Sequence, residues 1–293
     1  MKMKRSEKLG MFTGLVVGVL LLLISVFMIF QTTCKVWGAE KPANATQQGI
    51  DVSSHQGKID WEQVKNSALA DYAIIRCGYG VNQTDKDDKY WDYNSSECER
   101  LGIPYGTYLY SGADTTAKAK SEAEHVVRLL QGKNLTYPIY YDMEADMLNQ
   151  LSSTQIGNIA KTFLNTMESY GYKNVAVYSN KYLFETKLTA SVFSDYPKWI
   201  AQHSNKCTYQ GSYHMWQYST QGVIPGISEK VDLNYKIGNW TYAGYSSAKK
   251  TVVVKPKATT IKSLRKSGKK AVKITYKTVS YTHLRAHETR GNL

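Results

Sequence analysis

The chain has 293 residues, enough for one large domain with attachments, and 37 Lys and Arg against 24 Asp and Glu give a net charge of +13. The excess sits at the ends: residues 49–240 hold 18 basic and 21 acidic residues (net −3), the flanks 19 and 3 (net +16). A basic balance confined to the flanks argues against nucleic acid as a partner and fits loose attraction to an anionic surface.

In chain order, Lys2, Lys4, Arg5 and Lys8 make residues 1–10 basic, and residues 11–30 then carry no charge at all. As a helix, those twenty positions span roughly 30 Å, the thickness of a bilayer core. The flanking cations predict that residues 1–10 stay cytoplasmic and that the rest of the chain lies outside. No clear small-x-small cleavage site follows, Val36-Trp37-Gly38 being the nearest, so 11–30 reads as an uncleaved signal-anchor. Localisation is then the extracellular face of the plasma membrane or the cell wall, or secretion if the segment is cleaved. Residues 31–48, polar and irregular, read as a stalk.

Residues 49–241 alternate strand-like and helix-like patterns. Strand-like runs occupy 49–52, 72–77, 105–110, 138–142, 174–179, 198–202, 215–218 and 231–233, most of them apolar on both faces, as buried parallel strands are. Helical periodicity follows the early ones, with Ser152 or Ser153 as an N-cap and Gly132 and Gly171 as stops. After Gln202 the helical pattern ceases. The expected fold is therefore α/β: an irregular TIM-like barrel of about five strand–helix units followed by three strands. Function in such barrels sits at the carboxyl ends of the strands. Here those ends carry Asp51, Arg76, Tyr110, Asp142 with Glu144, Ser179, Gln202, Gln217 and Asp232. Residues 242–279 read as a linker and the start of a truncated β-sandwich-like repeat, since a sandwich needs about 100 residues. Residues 280–293 change character and resemble translated sequencing-adapter sequence, so they are expected to be a non-native tail.

The cysteines (Cys34, Cys77, Cys98, Cys207) form no Cys-x-x-Cys, and His55, His125, His203 and His214 show no His-Glu-x-x-His spacing. No metal and no cofactor are expected; the disulfide state of Cys77, Cys98 and Cys207 is left open.

The chemistry concentrates in Tyr140-Tyr141-Asp142-Met143-Glu144. Alternation along a strand puts Tyr140, Asp142 and Glu144 on one face and Tyr141 and Met143 on the other. Two carboxyls held close on an apolar strand end raise at least one pKa, which suits a general acid. A solvated strand end would carry the same short pattern, so the pair alone does not decide.

Gly49-Ile50-Asp51-Val52-Ser53, His55-Gln56-Gly57, Ile74-Ile75-Arg76-Cys77-Gly78-Tyr79-Gly80, Tyr141-Asp142-Met143-Glu144, Lys198-Trp199-Ile200-Ala201, Trp216-Gln217-Tyr218-Ser219 and Val231-Asp232-Leu233-Asn234 together resemble the glycoside hydrolase family 25 lysozymes, the N-acetylmuramidases of peptidoglycan. The segments fall in family order across residues 49–240. Gln56 stands where the family often carries an aromatic residue. The resemblance implies a hydrolase cutting the β-1,4 bond between N-acetylmuramic acid and N-acetylglucosamine. It makes Glu144 the general acid/base, with Asp142 stabilising the oxocarbenium ion or orienting the substrate's acetamido group. Asp51 and Asp232 are implied as supporting acids. Arg76, Tyr110, Tyr178, Trp199, Gln217 and Tyr218 are candidate substrate contacts, with Trp216 a further aromatic candidate. Arg76 is expected to pair with Asp142 or Asp51. The resemblance of the Lys-rich region after residue 242 is to a fibronectin type III-like repeat. The partner is bacterial peptidoglycan, with the membrane contacted through residues 11–30 and a monomeric catalytic domain. The alternatives are a catalytically inactive glycan-binding module and a chitinase-like N-acetylglucosaminidase. The latter would carry Asp-x-x-Asp-x-Asp-x-Glu, whose earlier acids are replaced here by Tyr137 to Tyr140.

Overall fold

A computed structural model of the chain describes residues 39–240 with their side chains, and beyond them the backbone of the strands Tyr245–Ser246, Ile261–Lys266 and Val272–Tyr276. The expected membrane span, residues 31–38 of the expected stalk and the expected tail lie outside the described residues. Among the described residues no helix is long and apolar enough to cross a membrane.

Eight strands close into a barrel: β1 (Ala45–Val52), β2 (Tyr72–Tyr79), β3 (Tyr105–Tyr110), β4 (Ile139–Asp142), β5 (Val175–Asn180), β6 (Lys198–Ala201), β7 (Met215–Gly222) and β8 (Val231–Ile237). Neighbours from β1 to β7 are parallel, and β8 closes the barrel antiparallel to both β7 and β1. β1 begins inside the stretch read as stalk. Its polar start is held by backbone pairing with β8, Ala45 opposite Ile237 and Gln48 opposite Tyr235, a signal that hydropathy does not carry.

Helices follow the first five strands: α1 (Trp61–Ser67), α2 (Trp91–Leu101), α3 (Thr116–Leu129), α4 (Ser153–Ser169) and α5 (Lys181–Thr186), with a single turn α6 (Val192–Asp195) before β6. Local chemistry starts them. Asp60, Thr115, Ser152 and Asn180 each accept a backbone N–H of the first turn, and Ser152 forms a capping box with Gln155. Gly102 ends α2 with φ 67°, a left-handed turn that costs glycine little. No helix covers the connections 202–214 and 223–230.

Strand alternation sorts the core into two layers. Tyr72, Ile74, Tyr140, Ala176, Tyr178, Trp199 and Met215 fill the barrel interior. Ile75, Leu109, Tyr141, Met143, Ile200 and Trp216 face outward into the layer shared with the helices. Each large side chain so buried contributes about 1.5–3 kcal/mol. At the amino end of the strands Tyr72 stacks on Tyr137 with centroids 4.4 Å apart, and Trp240 meets Tyr137 edge-on, so that end is plugged. The carboxyl end is left to polar groups. Residues 250–293 form a separate unit, in which Ile261–Lys266 and Val272–Tyr276 pair antiparallel as a hairpin.

Candidate active site

The barrel's registers bring the acids together. Asp51 on β1 stands directly opposite Asp232, the second residue of antiparallel β8. Tyr110 at the end of β3 is level with Asp142 at the end of β4, which is level with Tyr178 on β5. Glu144 follows Asp142 by two residues. Tyr140 lies in the interior and Tyr141 and Met143 outside it, as alternation requires. Bulges fall between Arg76 and Gly78 on β2 and between Gln217 and Ser219 on β7, re-aiming the strand ends beside the site.

Gln217 joins these groups. Its amide nitrogen donates to Asp51 Oδ2 at 3.0 Å and Asp232 Oδ2 at 3.2 Å. Its amide oxygen accepts from Tyr178 Oη at 3.0 Å and faces His203 Nε2 at 2.9 Å, so His203 carries its proton on Nε2. Asn234 donates to Asp51 Oδ2 at 2.7 Å and accepts from the Trp199 indole at 2.8 Å. Trp199 is 1% exposed and packs against Tyr140 and Tyr178, with ring centroids 4.9 Å and 4.4 Å away. It is the floor under the acids, not an open platform for a sugar.

Burial dominates the electrostatics. It pushes Asp51 well above the ordinary carboxylate range, reinforced by Asp232, while Asn234, Gln217 and His203 oppose it. Burial and then the charges of Glu144 and Asp51 raise Asp142, with Arg76 opposing. Burial and then Asp51 raise Glu144, with His203 and the nearby Tyr178 hydroxyl pulling the other way. Asp232 is pushed up to about 6 by burial and Glu144, while a hydrogen bond with Asp51 draws it down. The four acids together hold protons at pH values where isolated carboxyls have lost them. Asp142 Oδ1 is buried with no hydrogen-bond partner among the described residues.

Other expected contacts are placed differently. Arg76 pairs with neither Asp142 nor Asp51. Its Nε donates to Asp88 Oδ2 at 2.8 Å and its Nη2 to Ser54 Oγ at 2.8 Å, because the β2–α2 loop folds back to offer a buried carboxylate. Tyr218 and Trp216 do not share one face with each other's neighbours in the way a lined cleft requires: Gln217 points inward, so both point outward, and Tyr218 stacks on Tyr235 at 4.3 Å. Neither touches the acids. Tyr110 is the partly exposed ring beside them, its hydroxyl pKa raised by burial and then by Asp142 and Glu144. Gln56 is occupied structurally, accepting from Ser53 N and donating to the Lys230 carbonyl.

Sequence reasoning missed Asn234, His203 and Asp88. Asn234 was within reach by alternation, two positions from Asp232. His203 and Asp88 lie on irregular connections where no period applies. Behind the site, Glu122 of α3 is fully buried and accepts from Tyr141 Oη at 2.6 Å, Ser111 Oγ at 2.9 Å and Gly112 N at 2.8 Å. It ties the loop after β3 to β4, where Ser111 N also donates to the Asp142 carbonyl. Cys77, Cys98 and Cys207 are free thiols, and burial pushes Cys77 up to about 12. Among the described residues no His, Cys, Asp and Glu side chains gather so as to hold a metal ion.

Comparison with known proteins places this arrangement. An autolytic lysozyme of Clostridium acetobutylicum is 30% identical over 188 residues, covering 64% of this chain and 55% of that protein. The modular autolysin LytC of Streptococcus pneumoniae has a solved structure that is 33% identical with a TM-score of 0.59, covering 64% of this chain and 46% of that one. The chain thus spans about half the length of these two relatives. A family 25 glycosyl hydrolase structure from Bacillus anthracis shares the fold at 21% identity, with a TM-score of 0.60 over 69% of this chain and 94% of that one. The family model described as glycosyl hydrolases family 25 matches residues 50–227, which include Asp51, Asp142, Glu144 and Gln217, and the chain belongs to that family.

Proposed function

We propose that the protein is a peptidoglycan hydrolase of the N-acetylmuramidase type, cutting the β-1,4 bond between N-acetylmuramic acid and N-acetylglucosamine. The observation that carries this reading is the convergence of four carboxyls at one end of the barrel, each held above the ordinary carboxylate range by burial. The relatives support the substrate class: one is named an autolytic lysozyme, and LytC has been solved with a synthetic peptidoglycan ligand.

In this reading Glu144 is the general acid, because it is the acid at the rim, less buried than Asp142. Protonated, it delivers its proton to the leaving glycosidic oxygen as the C–O bond breaks. Asp142 then faces the developing oxocarbenium charge or holds the N–H of the 2-acetamido group, whose carbonyl oxygen closes on the anomeric carbon; the family resemblance favours the latter, with retention of configuration. Glu144, now ionised, takes a proton from the water that opens the intermediate. Tyr178 is suited to follow this cycle. Its single proton serves Gln217 while Glu144 is protonated and Glu144 once it is charged, and His203 keeps the Gln217 oxygen satisfied throughout. Asp51, Asp232 and Asn234 hold the charge environment without reacting. Arg76, fixed by Asp88 and Ser54, lends positive charge beside Asp142.

We place residues 11–30 as a membrane anchor, with the barrel on the outer face of the membrane. If so, the full chain sediments with membranes and detergent releases it; recovery of a soluble form lacking those residues from the medium would contradict the anchor. The hydrolase reading is tested with the full chain in mild detergent on purified bacterial walls. Glu144→Gln is expected to slow wall clearance by roughly 10²–10⁴-fold while wall binding persists. Unchanged clearance would sink the assignment of Glu144.

A further inference from the structure

β6 ends at Ala201, and the helix-free connection 202–214 that follows is held from its first residue. Gln202 N donates to the Gln217 carbonyl at 3.1 Å, and the Trp216 indole donates to the Gln202 carbonyl at 2.8 Å. The Gln202 side chain closes the connection on itself, accepting from Thr208 N at 2.8 Å and donating to Thr208 Oγ1 at 3.0 Å. Further along, the Asn205 carbonyl accepts from Glu40 N at 2.9 Å, and Lys206 pairs with the Glu40 carboxylate at 3.0 Å. Surface connections are ordinarily the mobile parts of a fold. This one is tied to β7 and to the segment before β1. The residue it presents to the acids is His203, exposed at the rim, with Nε2 2.9 Å from the Gln217 amide oxygen.

Gln217 makes that contact consequential. A primary amide is a rigid plane with an acceptor at one end and two donors at the other. Here the nitrogen faces Asp51 and Asp232, and the oxygen faces Tyr178 and His203. Turned end for end, the amide would set its oxygen against two carboxyls and its nitrogen against two donors. Donors at the oxygen therefore decide that the nitrogen serves the acids. Tyr178 has one proton and also acts on Glu144, so it is a shared donor. Among the described residues the Nε2–H of His203 is given to Gln217 alone. The ring is also close enough to Asp51 and Glu144 to draw both carboxyls down against burial.

We propose that His203 is a positioning residue of the acid cluster, whose Nε2–H locks the Gln217 amide and, through it, the carboxyls of Asp51 and Asp232. The proposal deepens the hydrolase reading and rests on it for its effect on turnover. Once Glu144 has given up its proton and drawn the Tyr178 hydroxyl, His203 is the donor that keeps Gln217 in place. The titratable groups around this amide and ring are Asp51 on β1, Glu144 after β4, Tyr178 on β5 and Asp232 on β8. The connection 202–214 thereby takes on a role that no helix fills: it is the mount for one imidazole.

The test compares the full chain with two variants. His203→Gln places an amide N–H about where Nε2 stands, and His203→Phe keeps a ring of similar shape without the donor. On solubilised peptidoglycan His203→Phe should lower kcat by roughly tenfold or more with KM little changed, and His203→Gln should restore most of that loss. Turnover of His203→Phe equal to the parent's, a loss carried by KM alone, or a loss that a folded His203→Gln fails to rescue would each overturn the proposal. A second readout needs no substrate. Followed by carbon-13 NMR, the Asp51 carboxyl should titrate at higher pH in His203→Phe, because Gln217 no longer holds its charged form, and closer to the parent in His203→Gln. The same Asp51 titration in all three proteins would contradict the lock on Gln217. If the carboxyl moves as stated while the parent cuts no wall polymer, the positioning role stands and the hydrolase reading falls.

Discussion

Asp51 sits where β1 and β8 meet and acts on Glu144 through charge rather than contact: after burial, it is the group that most raises the Glu144 carboxyl. Replacing it with Asn removes the negative charge that Asp51 carries once it ionises, so the Glu144 pKa falls. A general acid must be protonated to work, so the alkaline limb of the kcat/KM profile should move to lower pH. A limb that stays in place or moves upward would show that Asp51 and Glu144 are uncoupled. Gln217 is a positioning residue of another kind, since one amide serves Asp51, Asp232, Tyr178 and His203. Gln217→Leu leaves those groups short of partners at about 1–3 kcal/mol. It should lower kcat by roughly tenfold or more with KM little changed, whereas a purely structural role would lower the melting temperature and leave kcat of the folded fraction intact.

The strands bring these residues together, and β3 and β4 approach so closely that a methyl group cannot fit between them. A Cβ on Gly106 would lie 2.5 Å from the Pro138 carbonyl oxygen, backbone that cannot swing aside. Gly106→Ala should therefore destabilise by about 1–3 kcal/mol, read as a lower melting temperature. The Glu122 anchor behind the same strands is worth more. Glu122→Ala, which strands Tyr141, Ser111 and Gly112, should cost about 3 kcal/mol or more in denaturant melts, and a loss below about 1 kcal/mol would show that the anchor is dispensable. Strands and capped helices were legible because hydrophobic period and cap chemistry act locally: the Ser152 cap and the stop at Gly171 are where the sequence suggested. The polar start of β1 and the outward turn of Tyr218 were not, since both depend on which strand lies alongside. Asp88 holding Arg76 was hidden for the same reason, a loop contact without periodicity.

For the whole molecule, the buried acids tie stability to pH. Asp51, Asp142, Glu144, Asp232 and Glu122 all bind their protons more tightly folded than unfolded. Between the ordinary carboxylate range, roughly pH 4, and the folded value, about 6 for Asp232, the native state holds more protons than the unfolded one. Their contribution is complete below that window and is lost as pH rises through it. The melting temperature of Asp232→Asn should accordingly fall less steeply than that of the parent across this interval; equal slopes would mean that Asp232 titrates normally. At this scale the sequence carried the barrel, its count of units and the acids, while the depth of their burial emerged only when the barrel closed. The claim that joins these levels is the choice of bond, and the identity of the new reducing ends tests it most directly. Purified peptidoglycan digested by the full chain, then reduced and examined by mass spectrometry, should show reduced N-acetylmuramic acid at every new end. Reduced N-acetylglucosamine at those ends would contradict the account.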